Sequence, residues 1–345
     1  KYCIARGFSV RILDAEAEGL SIKDTAQRII DTSPRLAAFC IYGHQPSAST
    51  QCLPAASAVA RLVAEDNKGR ALLGDKVSIP TIALGTHPSA LPQKTLREEP
   101  FDFVCQGEGP ATIAALIEAL RDGPNFRGVP GLHYYGQLGS KLGGGKILCS
   151  NPPAPNILNL DAELPGQALD LLDMTKYRAH GWHLWGRTRH QLGGYASVQT
   201  SLGCQFACEF CCIQAPFGDA KPRMRYWSPE NVANQIDELV NVYNITNIKI
   251  PDEMFCFNRA HVRAICELLI KKNVAQHLNI WAYARVDTVK DEDMLALMRR
   301  AGFRWLGMGV ESGSKHVRDG VDKGRFGNEE IIAAVRRVQA GGICV

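Results

Sequence analysis

No apolar run in this chain approaches the ~20 residues that a membrane-crossing helix needs, so no membrane span is expected. Charge of one sign is also scarce. The formal net charge is only +4, and no Lys/Arg run forms a patch, which argues against nucleic acid as the partner. Low-complexity tracts are missing, and so is the composition that keeps a chain disordered. The opening Lys1-Tyr2-Cys3-Ile4 shows neither an initiator Met nor the pattern of a secretory signal. A length of 345 residues leaves room for two domains.

Cysteine, by contrast, is plentiful: the chain has 12. A small secreted chain would use that many for disulfides, but this chain is large, has a strong apolar pattern and lacks a signal. A reduced, cytoplasmic protein is therefore expected. Cys3, Cys40, Cys105, Cys256, Cys266 and Cys344 fall singly in apolar segments, where a thiol behaves as a small hydrophobe. Four others crowd into positions 204 to 212.

The first ~125 residues alternate strand and helix, as a parallel sheet requires. Strand patterns fall at 9–13, 36–42, 79–84 and 101–105, with helical patterns at 22–31, 55–65 and 111–120. Glycine-bearing loops follow three of these strands: Gly43 to Ser49 (with His44, Gln45 and Ser47), Gly85-Thr86-His87-Pro88, and Gly107-Glu108-Gly109. In open α/β sheets ligands bind beyond the carboxyl ends of the strands, so the three loops are expected to share a crevice. A small hairpin excursion is expected at 129–147, then a proline-rich connection from Pro152 to Pro165 and a connecting helix at 177–191. A second alternation follows, with strands at 196–201, 247–251, 279–284 and 305–309 and a fifth beginning at 342. Its helices are expected at 229–243, 259–272, 291–301 and 328–340. Repeated strand–helix units without antiparallel signals favour a (β/α) barrel. The opening reads as the tail of a helix, so a preceding strand is expected to be absent, and the barrel is expected to stop inside its fifth strand.

Cys204, Cys208 and Cys211 are spaced C-x3-C-x2-C on the loop after the first strand of that second array. Three thiolates so placed can hold three corners of a cubane iron–sulfur cluster and leave one iron open to a ligand. A structural zinc site wants four closed ligands, usually as two separated pairs, and Cys212 is the one nearby candidate for a fourth. Plain burial of these thiols is the remaining alternative. Carboxylates and an arginine stand at the carboxyl ends of the next strands: Asp252 and Glu253, Arg285 and Asp287, then Glu311. That is the end of a barrel where function sits. These groups either pair among themselves as a rim network or meet the charged ends of a ligand.

The cysteine spacing, with Phe210 before the third cysteine, resembles the signature of the radical S-adenosylmethionine (SAM) superfamily. The likeness extends over residues 195–345. It implies a four-iron four-sulfur cluster on Cys204, Cys208 and Cys211 and reductive cleavage of SAM to a 5′-deoxyadenosyl radical. By the same likeness Phe210, Glu253, Arg285 and Glu311 would contact SAM, with Glu253 toward its ammonium and Arg285 toward its carboxylate. The first array resembles the cobalamin-binding domain that precedes many such barrels. That likeness implies cobalamin contacts from Ser47, Ser49, Gly85, His87, Gly107, Glu108 and Gly109. The base-off Asp-x-His-x-x-Gly motif of His-ligated cobalamin proteins is not visible.

The implied architecture is α/β. A doubly wound Rossmann-like domain at 1–135, lacking its first strand, is followed by a hairpin, proline-rich linker and helix at 136–190, and then by a truncated radical SAM partial barrel at 191–345. The implied function is C-methylation of an unactivated carbon in a small-molecule or natural-product substrate, with electrons from a flavodoxin or ferredoxin. Two alternatives stay open at this level: a cobalamin-dependent rearrangement or cyclisation without methyl transfer, and a redox- or cobalamin-sensing module.

Overall fold

The computed structural model describes residues 1–43, 48–74, 78–123, 125–137, 145–179, 193–206, 208–217, 224–321, 323 and 326–345. They form two compact units: Tyr2–Ile157 with Cys211–Ala220, and Leu158–Phe210 with Lys221–Val345.

The first unit is built on strands β1 (Ala37–Ile41), β2 (Thr81–Gly85), β3 (Phe103–Cys105), β4 (Leu132–Gln137) and β5 (Lys146–Ser150), in that order across one sheet. β1, β2 and β3 run parallel, while β4 and β5 add an antiparallel hairpin to the β3 edge. Its helices are α1 (Ile22–Thr32), α2 (Ala48–Leu72), α3 (Thr86–Ala90), α4 (Pro92–Glu98) and α5 (Pro110–Asp122). Every residue of β2 is buried, as a parallel strand covered on both faces should be. Alternate side chains separate two cores. Ile82, Leu84, Phe103 and Cys105 pack with Leu116 of α5, whereas Ala83 and Val104 pack with Leu53 and Ala60 of α2 and Leu96 of α4. Helices therefore cover both faces.

Four expectations for this unit change. Residues 9–13 form no strand, because no neighbour supplies a ladder for them among the described residues. The doubly wound order is corrected with it. A doubly wound sheet reverses its strand order at a switch point, and this one runs β1 to β5 without reversal. The hairpin is not an excursion either, since Val104 and Cys105 pair with His133 and Leu132 and so join it to the sheet. The helix expected at 55–65 begins earlier, at Ala48, and takes Pro54 into its interior.

The second unit contains α6 (Leu160–Glu163), β6 (Gly194–Ser197), the short antiparallel pair β7 (Ser201–Leu202) and β8 (Arg225–Tyr226), α7 (Pro229–Asn241), β9 (Ile245–Ile250) and α8 (Arg259–Lys271). It continues with β10 (Asn279–Ala284), α9 (Glu292–Arg300), β11 (Phe303–Met308), α10 (Lys315–Gly320) and α11 (Asn328–Ala340). β6, β9, β10 and β11 lie side by side in chain order and all parallel. A parallel bridge from Trp305 to Cys344 begins a further pairing beyond β11. The expected strand at 196–201 is in fact broken: β6 ends at Ser197, and Ser201 leaves for the β7–β8 ladder. Ser228, Asn258 and Asp291 cap α7, α8 and α9, each accepting a backbone N–H three residues on.

This second sheet has two unlike faces. Ala196, Ile248, Ile250, Ile280, Ala282 and Leu306 are buried, and the amphipathic helices α7, α8 and α9 bury Ile236, Ile265 and Met298 in turn. The alternate positions carry Tyr195, Ser197, Asn247, Lys249, Asn279, Trp281 and Tyr283, which the register places on one opposite face.

Candidate functional site

Thr200 and Ser201 lead directly into the cysteine loop, and Asp252 holds them. This carboxylate, just past the end of β9, is fully buried. It accepts the Thr200 backbone N–H at 2.9 Å and the hydroxyls of Thr200 and Ser201 at 2.6 Å each. Burial raises its pKa to about 6 against the pull of these hydrogen bonds. Asp252 thus ties the start of the loop to the second strand instead of facing a ligand.

Further along the loop, Phe206 lies edge-on to Phe257, with ring centroids 6.1 Å apart. The Arg285 guanidinium covers the other contact of that ring at 3.9 Å, a cation–π arrangement. Glu209 donates its N–H to the Val321 carbonyl at 3.3 Å. Phe210 is more than half exposed, with the Lys323 ammonium 5.7 Å from its ring centroid. Cys204 is buried, Cys208 half-buried and Cys211 exposed. Among the described residues no three Cys, His, Asp or Glu side chains are gathered as a metal set. The donor chemistry nonetheless suits an iron–sulfur cluster: three thiols lie within eight positions, Cys204 to Cys211, the entry to their loop is tied by Asp252, and Phe206 and Phe210 meet Arg285 and Lys323.

The strand-end charges divide between the two roles foreseen for them. Arg285 makes a two-pronged pair with Asp287, Nε to Oδ1 at 3.0 Å and Nη2 to Oδ2 at 3.2 Å. Glu311 pairs with Lys323 at 2.8 Å. Glu311 sits at φ +65°, and a Cβ on Gly309 would come within 2.9 Å of its carboxylate and 3.0 Å of the Lys323 ammonium, so the pair packs directly over the glycine. No salt bridge to Glu253 is found among the described residues. Burial, with some repulsion from Asp252, lifts its pKa to about 7. A carboxyl in that condition is available to a cationic ligand.

In the first unit the strand-end loops are joined by small hydroxyl side chains. Ser49 donates to the Ile41 carbonyl at the end of β1 and accepts the His87 N–H at 3.0 Å. Thr50 Oγ1 and His87 Nδ1 lie 2.9 Å apart. Ser89 accepts the Gly107 N–H at 3.2 Å and donates to the Gly107 carbonyl at 3.3 Å. Glu108 accepts the Ile157 N–H at 2.8 Å. Ser49, Gly85, His87, Gly107, Glu108 and Gly109 are therefore brought to one sheet edge, while Ser47, with His44 and Gln45, lies outside the described residues. The two glycines differ in purpose. A Cβ on Gly85 would strike the Ile41 carbonyl, so that glycine serves strand packing. A Cβ on Gly107 would meet only the Pro216 carbonyl at 3.8 Å, which leaves backbone open beside it. Burial lowers the His87 pKa. An open glycine beside a row of small hydroxyls fits the close backbone approach that a corrin and its nucleotide tail require.

Residues 198–345 match the model of the radical SAM superfamily. An uncharacterized methyltransferase, PH0819, of Pyrococcus horikoshii is 30% identical over 335 residues, covering 97% of this chain and 64% of the relative. The anaerobic magnesium-protoporphyrin IX monomethyl ester cyclase of Synechocystis is 28% identical over 324 residues, 91% of this chain and 56% of that protein. The chain thus spans under two thirds of these relatives. Among solved structures, the cobalamin-dependent SAM radical enzyme OxsB with aqua-cobalamin bound matches with a TM-score of 0.70 at 22% identity, over 96% of this chain and 43% of that one. That likeness establishes the fold.

Sequence reading missed Asp252 as a tie, the Phe206–Arg285 stack, Lys323 and Lys249. One signal was present for the last: Asn247-Ile248-Lys249-Ile250 alternates polar and apolar, which marks two faces rather than a wholly buried strand.

Proposed function

We propose that this chain forms the core of a cobalamin-dependent radical SAM C-methyltransferase acting on a small molecule. The observation that carries the reading is the cysteine loop, its entry tied by Asp252 and its Phe206 and Phe210 met by Arg285 and Lys323, within the segment that matches the radical SAM superfamily. When bound, the cluster supplies an electron to break the sulfonium S–C5′ bond of SAM, and cobalamin carries a methyl group. Cys204, Cys208 and Cys211 would hold the cluster, and a flavodoxin or ferredoxin would deliver the electron. Glu253 would pair with the SAM ammonium, and Phe210 would lie against the bound molecule. Arg285 and Glu311 can serve the SAM carboxylate and ribose only by sharing or leaving Asp287 and Lys323. Ser49, His87, Gly107, Glu108 and Gly109 would line the cobalamin edge, with Ser47 completing it.

Ring closure without methyl transfer is the second reading, favoured by the 28% identity to the cyclase. Anaerobically reconstituted protein with both cofactors, incubated with candidate substrates and a deuterated methyl donor, separates the two by mass spectrometry. A labelled methyl group in product supports methyl transfer. An unlabelled, cyclised product supports the alternative. Failure to consume SAM under any condition refutes both.

A further inference from the structure

The polar face of the second sheet contains a cation that the functions above leave unused. Lys249 lies in β9, in register with Ser197 of β6 and Trp281 of β10. It is 7% exposed. Its ammonium stands 4.4 Å from the Trp281 ring centroid and 5.3 Å from that of Tyr283. The two rings are themselves packed edge to face at 4.4 Å and lie over Gly307, where a Cβ would come within 3.0 Å of Trp281. Among the described residues no carboxylate makes an ion pair with Lys249. Glu253, whose field reaches the Tyr283 hydroxyl, is not among the groups that shift Lys249.

A buried ammonium is costly unless an anion or hydrogen-bond acceptors meet it. Two aromatic faces return part of that cost and fix the direction of the side chain, but they supply no counter-charge. Burial accordingly lowers its pKa to about 8. Lysine in an otherwise alternating strand could have been any apolar residue had the position served packing alone. A fixed cation lacking its anion is half of an ion pair. The other half must arrive with a ligand.

We propose that Lys249, held by Trp281 and Tyr283, is the receptor for an oxyanion, carboxylate or phosphate, on the substrate. This deepens the radical SAM reading and rests on it, by restricting the substrate to anionic molecules. Positions 195 and 197, on the same face, add the Tyr195 and Ser197 hydroxyls, 3.2 Å apart, as neutral donors nearby.

The test is equilibrium dialysis of the reconstituted protein against labelled inorganic phosphate and, separately, labelled acetate. Saturable binding of one or both is expected, reduced about tenfold or more in Lys249→Met and kept within about threefold in Lys249→Arg, as loss of a charge-assisted contact requires. Phosphate alone or acetate alone identifies which oxyanion the site takes. Wild-type protein that binds neither, or a Lys249→Met variant that binds like wild type, overturns the proposal. So does competition between SAM and the anion, which would assign the ammonium to the cofactor carboxylate. Should anion binding depend on Lys249 while the protein fails to bind or cleave SAM, the receptor stands and the radical reading falls.

Discussion

Replacing Asp252 with Ala should loosen the cysteine loop before it touches any cofactor chemistry. The carboxylate satisfies three donors in a fully buried place: the Thr200 N–H at 2.9 Å and two hydroxyls at 2.6 Å. The hydroxyls of Thr200 and Ser201 can rotate toward other acceptors. The backbone N–H cannot. A buried donor left without a partner costs about 1–3 kcal/mol, and the two hydroxyls add less than that each, so the loss is about 2–4 kcal/mol. Because the bonds join residues 200–201 to residue 252, most of the loss should appear as local opening of the loop rather than of the whole unit. A loss of ~2 kcal/mol corresponds to roughly 30-fold more opening. Amide hydrogen exchange, resolved at Thr200 to Gly203, should accelerate by that factor in Asp252→Ala, and iron uptake on reconstitution should fall. Asp252→Asn, which keeps one acceptor oxygen, should lie between. Wild-type exchange and iron content in Asp252→Ala would show that the tie is not what holds the loop.

SAM affinity should rise with pH through about 7 and then level, because burial raises the Glu253 pKa to about that value and only the ionised form attracts an ammonium. The sign is that of an acid with a raised folded pKa: the proton is held at low pH and binding is lost there. Glu253→Gln should remove the pH dependence along with about tenfold or more of the affinity, since a charge-assisted bond is worth about 1.5–3 kcal/mol, as read by calorimetry from about pH 5.5 to about pH 8.5, roughly the span over which such a carboxyl titrates. In the first unit, Gly85→Ala should destabilise the sheet through the clash with the Ile41 carbonyl. Gly107→Val should instead reduce cobalamin retention on gel filtration while thermal unfolding changes less than in Gly85→Ala, although φ +121° adds strain at that position.

Much of the second unit could be read from the chain. β10 spans the expected residues 279–284, and α11 the expected 328–340. Polar caps such as Ser228 and Asn258 mark helix starts because they satisfy otherwise orphaned N–H groups locally. Local rules also placed the cysteines, whose spacing alone limits the chemistry. What escaped depends on partners distant in sequence. Residues 9–13 have strand composition but no ladder, and a strand exists only with a neighbour. The break between Ser197 and Ser201 is invisible without β8 and Asp252, both far along the chain. Arg285 and Glu311 carry the charges expected at strand ends, yet whether such a charge meets a ligand or a neighbour is decided by Asp287 and Lys323. The early start of α2 likewise depends on distant partners: hydrogen bonds from Ser49 and at Thr50 anchor the helical turn that precedes Pro54.

One measurement tests directly whether Cys204, Cys208 and Cys211 hold a cluster that cleaves SAM. Protein reconstituted anaerobically to about four irons per chain, as a cubane cluster requires, is reduced in the presence of SAM, and 5′-deoxyadenosine is quantified by mass spectrometry. Wild type and Cys212→Ala should release 5′-deoxyadenosine, and Cys204→Ala, Cys208→Ala and Cys211→Ala should release none. Full release by Cys208→Ala, or none by an iron-loaded wild type, would contradict that assignment.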